Sequence, residues 1–142
     1  MADTMKLRVE TGAVTVDVED ERGEVIGSFD FNPADSNILE RFGAVADFFE
    51  NMQVDENLPE NEQLDQITRL GRDIQGQFDY LLGGKVSEGI FAKCGPLTVT
   101  KKGDFFFETV LTGIGSIIEQ ATKKRLDKKM ARIKRATAKY QK

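Results

Sequence analysis

A short acidic motif, two glycine-rich motifs and one cysteine are the features of this chain whose residue types could do chemistry. Asp17, Glu19 and Glu21 have the alternate spacing of calcium ligands. In an EF-hand loop starting at Asp17, however, the positions that require glycine and a bidentate glutamate hold Arg22 and Ser28. A solvated hairpin is therefore the better interpretation of the acidic motif.

The glycine-rich motifs match phosphate-binding loops only in part. Around Gly83-Gly84-Lys85, a P-loop would need glycine at the position of Asp79 and Ser or Thr at the position of Val86. Gly113 and Gly115 lack the third glycine of a dinucleotide-binding motif and lie within a helical pattern. Small residues at such positions favour close packing of helices.

The composition removes most of the usual catalytic groups. The chain has no histidine, which excludes imidazole general bases, Ser-His or Cys-His pairs and histidine-ligated zinc. The single cysteine, Cys94, cannot form an internal disulfide or a cysteine-based metal cage. No pair of carboxylates stands out as a general acid and base. We therefore expect a binding protein rather than an enzyme, with no cofactor and no catalytic or metal site.

Charge is segregated along the 142 residues, whose net charge is −4. Residues 1–65 contain 17 acids and 4 bases, residues 66–120 contain 6 of each, and residues 121–142 contain 1 acid and 10 bases. Such asymmetry suggests an interaction tail. The basic end could bind nucleic acid, an acidic membrane surface or an acidic protein face, including the acidic half of a second copy. A solvated helix end is the alternative.

Alternating apolar residues predict three strands near the start of the chain. Met5–Val9 and Val14–Val18 alternate apolar with polar residues, which is typical of half-buried strands. Thr11-Gly12 supplies a turn between them, and Val25–Phe31 is the third predicted strand. The apolar face of this sheet must be covered by other elements.

Helical spacing of apolar residues predicts three helices after the strands. Their apolar stripes run from Ile38 to Met52, from Leu64 to Leu81 and from Val110 to Ala121. Asn32 and Pro33 are suitable as the cap and first residue of the first helix. Gly83 and Gly84 end the second helix, and Asp104 is a candidate cap for the third.

Together these elements predict an α+β fold, with a small antiparallel N-terminal sheet followed by about three helices. Residues 1–121 form the predicted core domain, β-rich over 5–31 and helical over 33–121. Residues 122–142 form a basic helical tail that extends from the core.

Two stretches were tested as targeting or membrane segments. Met1–Thr4 lacks the basic start and apolar run of a secretory signal. Phe105–Ile118 is shorter than the ~20 residues that a bilayer span needs. We therefore expect a cytoplasmic protein with a reduced thiol.

Two segments of the chain resemble small proteins encoded in the tail modules of tailed bacteriophages that infect Gram-positive hosts. The first is Phe29–Asn37, followed by Arg41-Phe42. The second comprises Phe78-Asp79, Leu82–Gly84 and Ser87–Phe91, and a final helix with a lysine-rich end follows it.

The resemblance spans roughly residues 25–140 and implies a tail assembly chaperone that is not an enzyme. Such a protein would bind the long helical tape measure protein and the tail tube subunit in the host cytoplasm, with homo-oligomers possible. A structural protein retained in the virion tail or head–tail region is the first alternative. A nucleic-acid-binding module using the basic C-terminus is the second, and the acidic first half argues against it. A membrane-surface helix over Phe105–Lys129 is a weaker alternative.

Partner contacts are predicted from two groups of side chains. The apolar contacts are Phe105, Phe106, Leu126, Met130 and Ile133. The charges that would steer an acidic partner are Lys124, Arg125, Lys128, Lys129, Arg132 and Arg135.

Overall fold

A computed structural model of the chain describes residues 3–138, with side chains described up to Lys124. The elements in chain order are β1 (Val14–Glu19), β2 (Val25–Phe31), α1 (Ile38–Glu50), α2 (Glu60–Leu82), α3 (Ser87–Ile90) and α4 (Phe106–Ala138). The predicted α+β fold, with a small antiparallel sheet followed by helices, is confirmed.

The two strands pair antiparallel and have one apolar and one polar face. Val14 lies opposite Phe31 and Val16 opposite Phe29, and both phenylalanines are buried against the helices. On the other face, the Ser28 hydroxyl donates a hydrogen bond to the Asp17 carboxylate at 3.0 Å. The alternation of side chains along a strand produces this division.

The turn between the strands explains the acidic motif. The Asp20 carboxylate accepts hydrogen bonds from the backbone N–H groups of Arg22 and Glu24, at 2.8 and 3.0 Å. Asp17 and Glu19 belong to β1 itself. The motif is therefore a hairpin whose turn is closed by an aspartate side chain.

The predicted strand Met5–Val9 is wrong, because residues 3–13 have no regular secondary structure. Met5 and Leu7 are 91% and 90% exposed. The Asn32 side-chain amide donates a hydrogen bond to the Thr11 carbonyl at 2.6 Å. This bond holds residue 11 beside the end of β2, and the described residues before it pair with neither strand.

The first helix begins later than predicted. Asn32 and Pro33 lie in a turn, in which the Asn32 side-chain oxygen accepts a hydrogen bond from the Ala34 N–H at 3.1 Å. Helix α1 starts at Ile38, directly after Asn37, whose N–H donates to the Asp35 carboxylate. The capping chemistry expected of Asn32 is thus used to form a turn before the helix.

The ends of the other helices agree better with the sequence. Gly83 ends α2 in the left-handed conformation, as predicted, and its N–H donates to the Asp79 carbonyl at 3.0 Å. Helix α4 starts at Phe106, two residues after the candidate cap Asp104, because Phe105 forms an antiparallel bridge with Val99.

The hydrophobic core lies where α1, the second half of α2, α3 and α4 meet the sheet. It consists of Phe29, Phe31, Ile38, Val45, Ile74, Phe78, Leu81, Leu82, Ile90, Phe91, Phe106, Phe107, Ile114 and Ile118. The predicted stripe of α2 is only partly buried, because Leu64 and Ile67 are exposed. In the described structure, the first half of α2 therefore extends beyond the core.

Helix α3 packs on β2 through close backbone contact. A methyl group added at Gly27 would lie 2.5 Å from the Gly89 carbonyl oxygen and 2.8 Å from that of Ile90. Neither carbonyl can retreat without moving the helix or the strand. Glycine is therefore required at this position by packing.

Gly27→Ala is expected to lower the free energy of unfolding by about 1–3 kcal/mol, as overpacking does in a close contact. Denaturant unfolding measures the effect. Gly43→Ala is the matched control, because a methyl group at Gly43 on α1 meets nothing within 4 Å, and alanine is favoured over glycine in a helix by about 1 kcal/mol. Equal stability of both variants would contradict the close contact.

Candidate protein-binding surfaces

Arg41 connects the turn before α1 to the end of α2. The Arg41 guanidinium forms an ion pair with Asp35 at 3.0 Å, and its Nε donates to the Leu81 carbonyl at 3.0 Å. Arg41 thereby joins the first segment to the end of α2, where the second segment begins.

Asp79 fixes the turn between α2 and α3. Its carboxylate Oδ1 accepts hydrogen bonds from the Val86 and Ser87 N–H groups, at 2.9 and 2.8 Å. The Phe78 ring beside it packs edge-on against Phe91, with centroids 5.2 Å apart. The backbone donors after Lys85 are thus bound to a carboxylate of the same chain, which agrees with rejecting a phosphate-binding loop here.

Asp35 has a pKa below its ordinary value of 3.8, because its carboxylate accepts the Asn37 N–H and a hydrogen bond from Arg41. A carboxyl whose pKa is lower in the folded state stabilises the fold above its unfolded pKa. That stabilisation is lost as the pH falls through the folded pKa.

Asp35→Asn is therefore expected to reduce stability near neutral pH, and the difference from the unchanged chain should shrink below about pH 4. Urea unfolding of both proteins across that range measures the effect. A stability difference that stays constant on acidification would contradict the ionic role of Asp35.

An apolar groove lies between α1 and α4, with a volume of about 410 Å³. It is lined by Leu39, Phe42, Gly115, Ile118, Glu119, Thr122 and Lys123. Leu39 is 60% exposed on its rim, and Ile118 forms part of the buried floor. A methyl group at Gly115 would lie 2.9 Å from Cζ of Phe42, so glycine lets the ring lie directly on α4. We call this surface the α1/α4 groove.

The groove leads into the basic part of α4. Lys123 and Lys124 are exposed at its end, and the helix continues to Ala138. From Ile118 to Ala138 the helix rises by ~30 Å. Ile118 is the last core residue among the side chains that the structure describes. An apolar groove followed by a basic helix suits an amphipathic helix that also carries acidic residues.

The predicted contact residues fall into three groups. Phe106 is 7% exposed and packs against Phe91, because the Val99–Phe105 bridge directs the start of α4 into the core. Phe105 is half-buried and stacked on Phe107 at 5.9 Å, and Lys124 is exposed beyond the groove. The others are on α4 with side chains outside the described residues: Arg125, Leu126, Lys128, Lys129, Met130, Arg132, Ile133 and Arg135.

A second apolar cleft lies between α2 and the loop before α4, with a volume of about 410 Å³. Ile67, Gly71 and Leu97 contribute to its lining, and the exposed Leu64 lies one helical turn away on α2. Arg72 is the charged residue of the lining. This cleft has no continuous basic extension comparable to that of the α1/α4 groove.

In the described part of the chain, no three Cys, Asp or Glu side chains converge as metal ligands, and Cys94 is half-buried. No helix within residues 3–138 combines the length and hydrophobicity needed to cross a bilayer. Comparison with known protein families, curated proteins and solved structures finds no match.

Proposed function

We propose that this protein is a tail assembly chaperone of a tailed bacteriophage, which binds the tape measure protein and the tail tube subunit during assembly in the host cytoplasm. The observation that carries the proposal is the α1/α4 groove and its continuation into the basic end of α4. The segments around Phe29–Phe42 and Phe78–Phe91 resemble small proteins of phage tail modules, and this resemblance suggests that the partners are tail proteins.

The α1/α4 groove meets the physical requirements of this role. A long amphipathic partner exposes an apolar stripe that it cannot bury alone, and a groove on a small protein can cover part of it. The net positive charge of residues 121–142 attracts acidic stretches of the partner and speeds encounter. Many weak contacts along a long helix allow release when the tube subunit polymerises.

Truncation after Thr122 is expected to abolish the ability of this chain to keep the tape measure protein soluble. The tape measure protein, co-expressed with the full chain, should remain soluble and co-purify with it. With the truncated chain, which keeps the core through Ile118 but lacks the basic segment, the tape measure protein should sediment. The soluble fraction of the tape measure protein is the measurement.

A second variant separates charge from helix length. It keeps all residues but replaces the lysines and arginines of residues 123–142 with glutamine, and we expect it to resemble the truncation. Solubility that does not change in either variant would refute the role of the basic segment. A tape measure protein that sediments even with the full chain would refute the proposed function.

Mass spectrometry of purified particles addresses the alternative of a virion protein. A chaperone should be absent from finished particles, and a structural protein should be present in many copies. Recovery of this chain at stoichiometric levels in the tail would therefore favour the structural role.

A further inference from the structure

Neither outer edge of the two-stranded sheet pairs with a further strand within residues 3–138. Helix α3 packs against β2 at Gly27 and Ser28, which leaves the outer edge of β1 as the more open of the two. Unpaired N–H and C=O groups on an edge strand are a template for another extended chain. Edge strands of this kind bind partners by adding a strand to the sheet.

An apolar cleft of about 240 Å³ lies between α4 and the face of the sheet that contains Val16, Val18 and Phe29. Val16 and Val18 line it from the strand, and Val110, Gly113 and Ile117 line it from the helix. The two strand valines are only half-buried. A methyl group at Gly113 meets nothing within 4 Å, so the surface of α4 is open here. Apolar side chains from an added strand would fill the cleft.

The opposite face of β1 is polar and acidic. Thr15 and Asp17 are exposed on it, and Asp30 of β2 lies opposite Thr15. Glu19 is also exposed and follows an irregularity in the strand register after Val18. Because side chains alternate along a strand, a strand that fits this edge needs apolar residues on one face and basic residues on the other.

Residues 5–9 of this chain have that pattern. Met5, Leu7 and Val9 are apolar, and Lys6 and Arg8 between them are basic. The three apolar side chains are 91%, 90% and 64% exposed, respectively. Pairing with a strand edge would remove this apolar surface from water, which is favourable. The two-residue period of a strand places all three side chains on one face.

We propose that residues 5–9 of a second copy of this chain bind along the outer edge of β1. Met5, Leu7 and Val9 then enter the cleft against α4, and Lys6 and Arg8 lie beside Asp17 and Glu19. The occupant is a second copy because residues 5–9 of the chain itself do not pair with β1, and the hydrogen bond from Asn32 fixes the Thr11 carbonyl beside the end of β2. Reciprocal exchange of the two segments produces a dimer. This inference does not depend on the proposed function.

Mixing two charge-reversed variants tests the exchange between copies. One carries Lys6→Glu and Arg8→Glu, and the other carries Asp17→Lys and Glu19→Lys. Each alone places like charges together, so each should have a dimer dissociation constant at least about tenfold above that of the unchanged chain. A mixture restores opposite charges at both edges of the mixed dimer. Light scattering after size exclusion should show monomers for each variant and dimers for the mixture.

Leu7→Asp tests the apolar face of the same segment and should also give a monomer. Val99→Asp is the matched control, because Val99 is an exposed valine outside the segment and the cleft, and it should remain a dimer. Circular dichroism establishes that every variant is folded. A monomeric unchanged chain at high concentration, a dimeric Leu7→Asp chain or a mixture that stays monomeric would each overturn the proposal. If residues 5–9 paired with β1 of their own chain instead, the unchanged chain would have the mass of a monomer, and the proposal would be overturned.

Discussion

Phe78→Ala is expected to lower the free energy of unfolding by about 3–5 kcal/mol, the usual cost of truncating a buried phenylalanine. The Phe78 side chain is fully buried, and its ring packs against Phe49 and Phe91 at centroid distances of 6.2 and 5.2 Å. Removal of the ring leaves a cavity between α1, α2 and the turn after α3. Since domains of this size have a total stability of about 5–15 kcal/mol, the variant should be close to unfolding.

Leu64→Ala is the matched control for this prediction. Leu64 lies on the same helix and on the same predicted stripe, but it is 65% exposed. Its truncation should change stability by no more than about 0.5 kcal/mol. Guanidinium unfolding followed by circular dichroism measures both variants. A loss at Leu64 as large as that at Phe78 would contradict the finding that only the second half of α2 is in the core.

If the α1/α4 groove binds a tape measure helix, as proposed, Leu39→Asp should weaken that binding by about 10- to 100-fold. The exposed Leu39 side chain is at the rim of the α1/α4 groove, and burial of a leucine side chain is worth about 1.5–3 kcal/mol. An aspartate at this position also presents a negative charge to an acidic partner. The folded state should change little in stability, because the side chain contributes little to the core. Calorimetric titration with a purified tape measure segment measures the affinity.

Val99→Asp controls for the general effect of adding an acidic group. Val99 is 63% exposed and lies in the loop before α4, outside the groove. We expect the affinity of this variant to stay within about twofold of the unchanged chain, a difference of only about 0.4 kcal/mol. An equal loss of affinity in both variants would contradict binding at the α1/α4 groove. It would mean that the added negative charge, and not its position, weakens binding.

The parts of the fold that depend on local sequence were predictable. The end of α2 at Gly83 and the hairpin between β1 and β2 follow from residues close together in the chain. Met5–Val9 has an equally clear strand pattern but no partner strand in the described chain. Period-2 alternation predicts that a segment can pair, whereas its partner depends on contacts such as Asn32 with Thr11, which only the folded chain reveals.

The candidate site was harder to predict. The helical spacing of Leu39 and Phe42 marks them as apolar-face residues, but it does not show where the neighbouring helix ends and a groove begins. In the Phe105-Phe106-Phe107 run, the bridge to Val99 determines which rings enter the core. The basic segment was evident from composition alone, because charge needs no tertiary structure to be recognised.

Hydrogen exchange of the chain alone and in complex with the tape measure protein tests the central claim most directly. If the partner helix binds the α1/α4 groove and its basic extension, amides of α1 and of α4 beyond Gly115 should exchange more slowly in the complex. The amides of the first half of α2 should exchange at unchanged rates. Protection confined to the α2 cleft around Ile67, or no protection anywhere, would contradict the account.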